Sequence, residues 1–360
     1  MHLTRFQCRG FRGLQDTDFV PCPGLNVLSG ANAQGKTSVL EAILYGATTR
    51  SHRASSDEEL VHYGGNEFHV RIEALAAGHP VLIEANWWCE AKRFRVDGVP
   101  QTRLSDILGR VCVVFFAPED IGLVKGAASV RRLFLDMELS QVQPPYLRAL
   151  QRYRQALRQR NELLRRQCTD GALLEPWELQ LAEHGKKLMI ERRAYVEELS
   201  GIAAPLYGRI VEEEPLELAY KPDVADPDTL AAVLCDGRKS DLVRKATGRG
   251  PHRDEMEISI AGKPARAYGS QGQQKSVALV LKLAEVELMR ARVGEYPVVL
   301  LDEALAELDA RRGARLFAAL PEEAQTLVTT AQPAQLPLHV RDRLKHFHIE
   351  GGRIEEEAST

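Results

Sequence analysis

One segment restricts the possible folds more than any other: Gly30-Ala31-Asn32-Ala33-Gln34-Gly35-Lys36-Thr37. It fits Gly-x-x-x-x-Gly-Lys-[Ser/Thr] at every position. An apolar run, Leu25 to Ser29, precedes it, and the helix-prone Lys36 to Leu44 follows. A strand that ends in a glycine loop and opens a helix belongs in a parallel sheet whose carboxyl ends share one edge. Each residue type has a chemical reason. Gly30 and Gly35 let the backbone turn its N–H groups toward phosphate oxygens, and the helix N-terminus adds partial positive charge. Lys36 is placed to reach β- and γ-phosphates, and the Thr37 hydroxyl to ligate Mg²⁺. Residues 30–38, including Ser38, form the expected cradle. A chance occurrence of the pattern is expected in about one chain in a hundred, and the flanking strand and helix make it rarer still.

Two further segments complete the pattern. Val298-Val299-Leu300-Leu301 ends in Asp302 and Glu303. A buried strand delivering carboxylates to the edge that holds the phosphate loop predicts Asp302 at the Mg²⁺, through water, and Glu303 at the attacking water. Lys36, Asp302 and Glu303 are thus the candidate catalytic residues, with Thr37 and Asp302 as metal ligands. Ser270-Gln271-Gly272-Gln273-Gln274 opens a long helix 32 residues before Asp302, which is the spacing of ABC-type ATPases. Ser270, Gly272 and Gln273 then make a second anion cradle on a helix N-terminus. If that cradle lies on the opposite edge of its protomer, it serves a second copy, and ATP becomes a removable bridge between two identical chains. The alternative is a polar helix cap, since the usual second glycine is missing. Glu307-Leu308-Asp309 is expected at the subunit seam.

The texture of the chain predicts an α/β protein, an ABC-type ATPase head with a P-loop, split by an α-helical insertion lobe. Strands are expected at Leu3–Cys8, Asp16–Val20, Phe68–Leu75, Val81–Trp88, Arg93–Val96 and Val111–Phe116, with Asp97-Gly98 as a hairpin turn. From about 130 to 210 the chain is rich in Leu, Arg, Gln and Glu. Leu147, Leu150, Leu157 and Leu164, then Trp177, Leu181, Leu188, Tyr195 and Leu199, predict an antiparallel helical hairpin of about three heptads per arm, broken at Cys168–Pro176. Strand Glu255–Ile260, helix 270–293, strands Val298–Leu301 and Thr326–Thr330, and a hairpin at Gly351-Gly352 complete the chain. The expected division is 1–125 (ATPase, N-terminal part), 126–245 (helical lobe) and 246–360 (ATPase, C-terminal part).

Charge and cysteines narrow the class. The formal net charge of the 360 residues is -3, so the chain as a whole is no polycation. The positive charge is local: seven arginines between Arg148 and Arg166 face the single acid Glu162, and Arg238, Lys239, Arg244, Lys245, Arg249 and Arg253 make a second stretch. Such runs are either phosphate contacts or solvated helix faces. The six cysteines have no metal-binding spacing, which suits free thiols in a reducing, cytoplasmic setting. No signal peptide and no membrane span is expected.

With these residues in view, the chain resembles the RecF family, the SMC-like DNA-repair ATPases of bacteria. The resemblance rests on Phe11-Arg12-Gly13-Leu14, the phosphate loop, Thr49-Arg50-Ser51-His52-Arg53, Pro118-Glu119-Asp120 with Val124-Lys125-Gly126, and Arg131-Arg132-Leu133-Phe134-Leu135-Asp136. It also rests on Gly250-Pro251-His252-Arg253-Asp254 and on Leu301 through Asp309. It implies an ATP-dependent homodimer that binds duplex and gapped DNA, also single strands. Such a dimer works with RecR and RecO to load RecA and hydrolyses ATP slowly. Two ABC features are missing: no glutamine follows Val113–Ala117, and Thr329-Thr330-Ala331-Gln332 stands where a switch histidine is usual. Thr330 or Gln332 is then the candidate γ-phosphate sensor, and Arg53 either covers the nucleotide or is a surface arginine. Competing readings are a structural SMC-like DNA-linking ATPase, which needs long heptad arms, and a transporter ATPase subunit, which needs the missing glutamine and histidine. A fused nuclease needs a further acidic cluster.

Overall fold

The computed structural model describes residues 1–211, 214–303, 310–333, 336 and 344–357. The chain begins with strands β1 (His2–Arg9), β2 (Thr17–Phe19) and β3 (Leu25–Ser29), then helix α1 (Lys36–Thr48). Next come β4 (Glu67–Ala76), β5 (His79–Trp88), β6 (Ala91–Val96), β7 (Val99–Gln101) and β8 (Val113–Phe116). A helix-rich stretch follows: α2 (Gly122–Lys125), α3 (Ala128–Val142), α4 (Pro144–Arg165) and α5 (Gly171–Val211). Then come β9 (Leu216–Lys221), α6 (Leu230–Asp236), α7 (Arg238–Arg244), β10 (Glu255–Ile260), β11 (Lys263–Pro264), α8 (Ala265–Tyr268) and α9 (Gln271–Val293). The last described elements are β12 (Val298–Leu301), α10 (Ala310–Ala319), β13 (Thr326–Thr330), β14 (Leu344–Glu350) and β15 (Arg353–Glu357). Two compact units result: one of residues 1–120 and 281–360, the other of 121–280.

The first unit is a two-sheet layer structure. One sheet runs β15-β14-β3-β13-β12-β8, parallel from β14 to β8. Strands β12 (VVLL) and, at the edge, β8 (VVFF) are apolar without alternation, because both faces of a parallel sheet are covered. The other sheet, β2-β1-β4-β5-β6-β7, is antiparallel, and its strands alternate buried and exposed residues. Between them lies α1, whose Val39, Leu40, Ile43, Leu44 and Tyr45 join one core with Phe6, Phe11, Phe68, Phe94 and Leu300. Burying each such side chain is worth roughly 1.5–3 kcal/mol. Gly46 lets α1 approach β4 closely, since a Cβ there would sit 2.5 Å from the Ile72 side chain. Asp97 and Gly98 both have positive φ, as the expected hairpin turn requires.

The second unit packs α4 against α5 beside a three-stranded sheet, β11-β10-β9. The helical hairpin is present, but its arms are unequal: α4 has 22 residues and α5 has 41. Pro176 stands inside α5 rather than in the turn, because the helix starts upstream at Gly171 and its seam of Leu174, Leu181, Leu188 and Tyr195 is fully buried. Several elements escaped sequence reading, among them β9, α6, α7 and the one-turn helices α2 and α8, all short and without a clear apolar period. Among the described residues, no helix is long and apolar enough to cross a membrane.

Candidate functional site

The parallel sheet brings the phosphate loop and the acidic strand to one edge by register. β13 lies between β3 and β12, with Thr330 opposite Ser29 and Val328 opposite Leu301. The next residue on each neighbour is therefore Gly30 or Asp302, flanking Thr329 and Thr330 at the carboxyl ends of the strands. The Asp302 N–H donates to Phe116 O at 2.9 Å, tying the acid to β8 as well.

The loop itself has the backbone its glycines permit. Gly30 has φ 153 and Gly35 φ 104. A Cβ on Gly30 would lie 2.2 Å from Ile349 O. Lys36 is buried, and its ammonium donates to Gly30 O and Ala31 O, both at 2.9 Å, with Glu303 Oε1 at 3.7 Å. The ammonium thus sits within the loop, held by carbonyls. Thr37 Oγ1 and Thr329 Oγ1 each donate to Asp302 Oδ1 at 2.8 Å, and Arg53 reaches Asp302 Oδ2 at 3.4 Å. Burial pushes the Asp302 pKa up, while the bonds from Thr329 and Thr37 and the charge of Arg53 hold it down. Glu303 has φ 45; its N–H donates to Thr329 Oγ1 at 2.9 Å, and its side chain is 38% exposed. Thr329 therefore positions both acids. Thr330 instead accepts the Gln332 N–H at 3.0 Å.

These groups open onto a cleft of about 670 Å³ lined by residues of the first unit, among them Arg12, Lys36, Thr37, Arg53, Glu303 and Gly352. Two lining residues, Gly352 and Arg12, have little signal in the sequence for this place. Gly352 turns the β14–β15 hairpin against the loop: its N–H donates to Gln34 O at 3.1 Å, and a Cβ would fall 2.2 Å from Gly13 O. Arg12 enters with φ 53 and bonds the buried Glu41 of α1 at 3.0 and 3.1 Å. Glu41 also accepts from Ser51, whose oxygen in turn accepts the Arg53 and Ala54 N–H groups at 2.9 Å. Arg12 and Arg53 are thereby set at one wall by a shared carboxylate. His52 packs on Phe115 at 4.3 Å, and burial lowers its pKa to about 4, so it is neutral at pH 7. Arg53 is half-exposed and turned to Asp302, which favours the covering role over a plain surface arginine.

The donor set suits a hard cation. One hydroxyl and one buried carboxylate meet at 2.8 Å, and Mg²⁺ characteristically takes one or two protein oxygens and completes its shell with phosphate and water. A larger carboxylate and histidine cluster is absent among the described residues.

Ser270, Gly272 and Gln273 belong to the second unit. Ser270 is exposed at the start of α9 and accepts the Gln273 N–H at 3.2 Å, while its own N–H donates to Gln273 Oε1 at 2.7 Å. This reciprocal pair is a capping box. Glu307, Leu308 and Asp309 lie outside the described residues.

The arginine run on α4 divides sharply. Arg160 is wholly buried and bonded to Glu178 and Asp241. Arg154 pairs with Asp136, and Arg165 and Arg166 with Glu162. Only Arg148, Arg152 and Arg158 remain exposed without an ion pair among the described residues. In the second stretch Arg238 pairs with Glu178 and Arg249 with Asp223.

A P-loop facing an acid-tipped parallel strand, in a head with an inserted helical unit, defines an ABC-type ATPase of the SMC-like kind. Comparison with known proteins agrees. A family profile described as an AAA domain matches residues 5–82. The DNA replication and repair protein RecF of Listeria welshimeri is 37% identical over 369 residues, covering 99% of this chain and 100% of that protein. That of Bacillus cytotoxicus is 36% identical, covering 99% and 98%. A solved structure described as the recombination mediator protein RecF with ATP, in the RecFOR pathway, aligns with TM-score 0.91 and 32% identity, covering 99% of this chain and 98% of that one. An Smc head domain from Pyrococcus furiosus shares the fold at TM-score 0.59 and 17% identity. The chain belongs to the RecF family.

Proposed function

We propose that the protein is an ATP-dependent DNA-binding repair ATPase that dimerises on ATP and binds duplex DNA at single-strand gaps. It then helps load RecA together with RecO and RecR, and hydrolyses ATP slowly to release the dimer. The observation that carries the reading is the convergence of Lys36, Thr37, Asp302 and Glu303 on one cleft. The relatives' names supply the repair setting, and the ATP complex of the RecF neighbour supports the nucleotide.

In this reading the N–H groups of residues 31–38 surround the phosphates. The Lys36 ammonium gives up its bonds to Gly30 O and Ala31 O for phosphate oxygens, a trade of neutral for charged acceptors. Thr37 and Asp302 would hold Mg²⁺, which neutralises phosphate charge when bound. Glu303, with its N–H fixed by Thr329, orients and accepts a proton from the attacking water. Arg12 and Arg53 close one wall over the phosphates. Ser270, Gly272 and Gln273 serve the nucleotide of a second copy, so nucleotide and dimer stand or fall together.

Sedimentation with and without a slowly hydrolysed ATP analogue, repeated with duplex and gapped DNA, tests the scheme. The wild type should shift from monomer to dimer on nucleotide. Lys36→Ala should lose nucleotide affinity by about 10–100-fold, the worth of its charged hydrogen bonds, and with it the dimer. A Lys36→Ala protein that still dimerises on ATP defeats the proposal.

A further inference from the structure

Two motifs of the resemblance, residues 131–136 and 250–254, have no part in the phosphate cleft. They meet in the second unit. There the structure accounts for each polar member of Gly250-Pro251-His252-Arg253-Asp254 except one. Gly250 has φ 124, and a Cβ would lie 2.8 Å from the Tyr153 hydroxyl. Pro251 O accepts from buried Arg192 at 2.7 Å. His252 is locked as one neutral tautomer: Nε2–H donates to Thr247 O at 3.0 Å, and Nδ1 accepts from Tyr153 at 2.7 Å. The Asp254 carboxylate is saturated by Arg192 at 3.1 Å, by the Asp223 N–H at 2.9 Å and by the Tyr220 hydroxyl. His252 and Asp254 thus have neither a free proton site nor a free oxygen to offer a ligand. Arg253 alone projects to solvent, with no ion pair among the described residues.

The other motif shows the same division. Arg131 is spent on Glu255 at 2.6 and 2.7 Å and on the carbonyls of Leu123 and Gly126. Asp136 is spent on Arg192 and Arg154, each at 2.8 Å. Arg132 is half-buried, and its one side-chain bond among the described residues is Nη1 to Asp254 O at 2.7 Å. That bond ties its guanidinium to the backbone one residue along from Arg253. Burial, and after it the charge of Arg192, lower its pKa, with a smaller contribution from Arg253. The nearby carboxylates Glu255, Asp136 and Asp254 are paired to Arg131 and Arg192. One anchored and one exposed guanidinium fork at the same short segment, neither with a carboxylate partner among the described residues, suit an outside anion.

We propose that Arg132 and Arg253 form a two-arginine clamp for phosphodiester groups of DNA, held by the buried Arg192–Asp136–Asp254 network. The forks match phosphate oxygens bidentately, and the contact reads backbone rather than sequence. The clamp rests on the DNA-binding reading above and gives the DNA a named contact on the second unit.

The test uses the full chain and a fluorescent duplex of random sequence, titrated from low to moderate salt with the ATP analogue present. Arg253→Ala removes an exposed side chain without a folded-state bond, and Arg132→Lys keeps charge but loses the fork. Each phosphate contact contributes about 0.9 to the slope of log affinity against log salt. Arg253→Ala should therefore lower that slope by about one and weaken binding on the order of tenfold near physiological salt. Arg132→Lys should keep the slope but lose affinity, while both variants bind the nucleotide analogue as the wild type does. Wild-type affinity and slope in Arg253→Ala overturn the clamp, as would happen if an acidic protein segment were the true ligand. Failure of the wild type itself to bind duplex removes the DNA reading, a separate outcome.

Discussion

Two sets of buried charges in this molecule have opposite designs. Around Arg192 and Arg160 in the second unit, several guanidinium N–H groups meet carboxylates or carbonyls, and neither arginine is more than a few per cent exposed. In the phosphate cleft, Lys36 rests on two carbonyls, and Asp302 holds two hydroxyls and a distant arginine. The first arrangement is satisfied without a ligand. The second rests mainly on neutral, replaceable partners beside an open cleft, with the charged Glu303 and Arg53 only at 3.7 and 3.4 Å. Saturation marks a group that organises the fold, and cheap partners mark a group kept for exchange. Residue type alone does not separate the two.

The largest effect should come from the saturated side. Arg192→Ala leaves buried Asp254 without an ion pair and Asp136 with Arg154 alone, and should cost about 3–5 kcal/mol, read from urea unfolding. A loss under 1 kcal/mol would erase the contrast. Next, Glu303→Gln should reduce ATP turnover at least about 100-fold, the usual worth of a general base, while leaving stability and nucleotide affinity near wild type. Rapid turnover by that variant would move the water-activating role elsewhere.

A third test concerns half-buried Asp120, which follows β8 and accepts the Ala117 N–H at 2.8 Å; desolvation pushes its pKa up to about 6. Because the folded protein holds that proton more tightly than the unfolded chain, stability should fall as pH rises from about 4 to 6 and level off above. Asp120→Asn should flatten that slope and gain up to about 3 kcal/mol at pH 7. An unchanged pH profile would show that Asp120 is ionised at little cost. The smallest effect is expected at Ser270. Ser270→Ala removes the cap of α9 and should cost about 1 kcal/mol, leave monomeric ATP affinity intact and weaken ATP-dependent self-association. Loss of nucleotide affinity in the monomer would break the trans assignment.

Much of the cleft was readable because its chemistry depends on contiguous residues. Gly30 to Thr37 needs only its own glycines and a helix behind it, and Val298 to Glu303 only an apolar strand ending in acids. Strands Leu25–Ser29, Val298–Leu301 and Thr326–Thr330 fall where the pattern put them: the doubly covered Val298–Leu301 is apolar throughout, and the other two keep enough apolar residues beside Asn26, Ser29 and the three threonines. The short elements β9, α6 and α7 lacked enough residues to show a period.

By itself, then, the sequence determined the phosphate loop, its acidic counterpart and the α/β class with a helical insert, all local patterns of spacing and hydrophobicity. Only the tertiary structure decided the rest. It chose Thr329 to hold both acids, set Gly352 and Arg12 against a loop far away in the chain, buried Arg160 and left Arg253 free. Those outcomes depend on which distant groups share a desolvated space. Arginines that look alike along a helix differ once burial demands a partner for each charge.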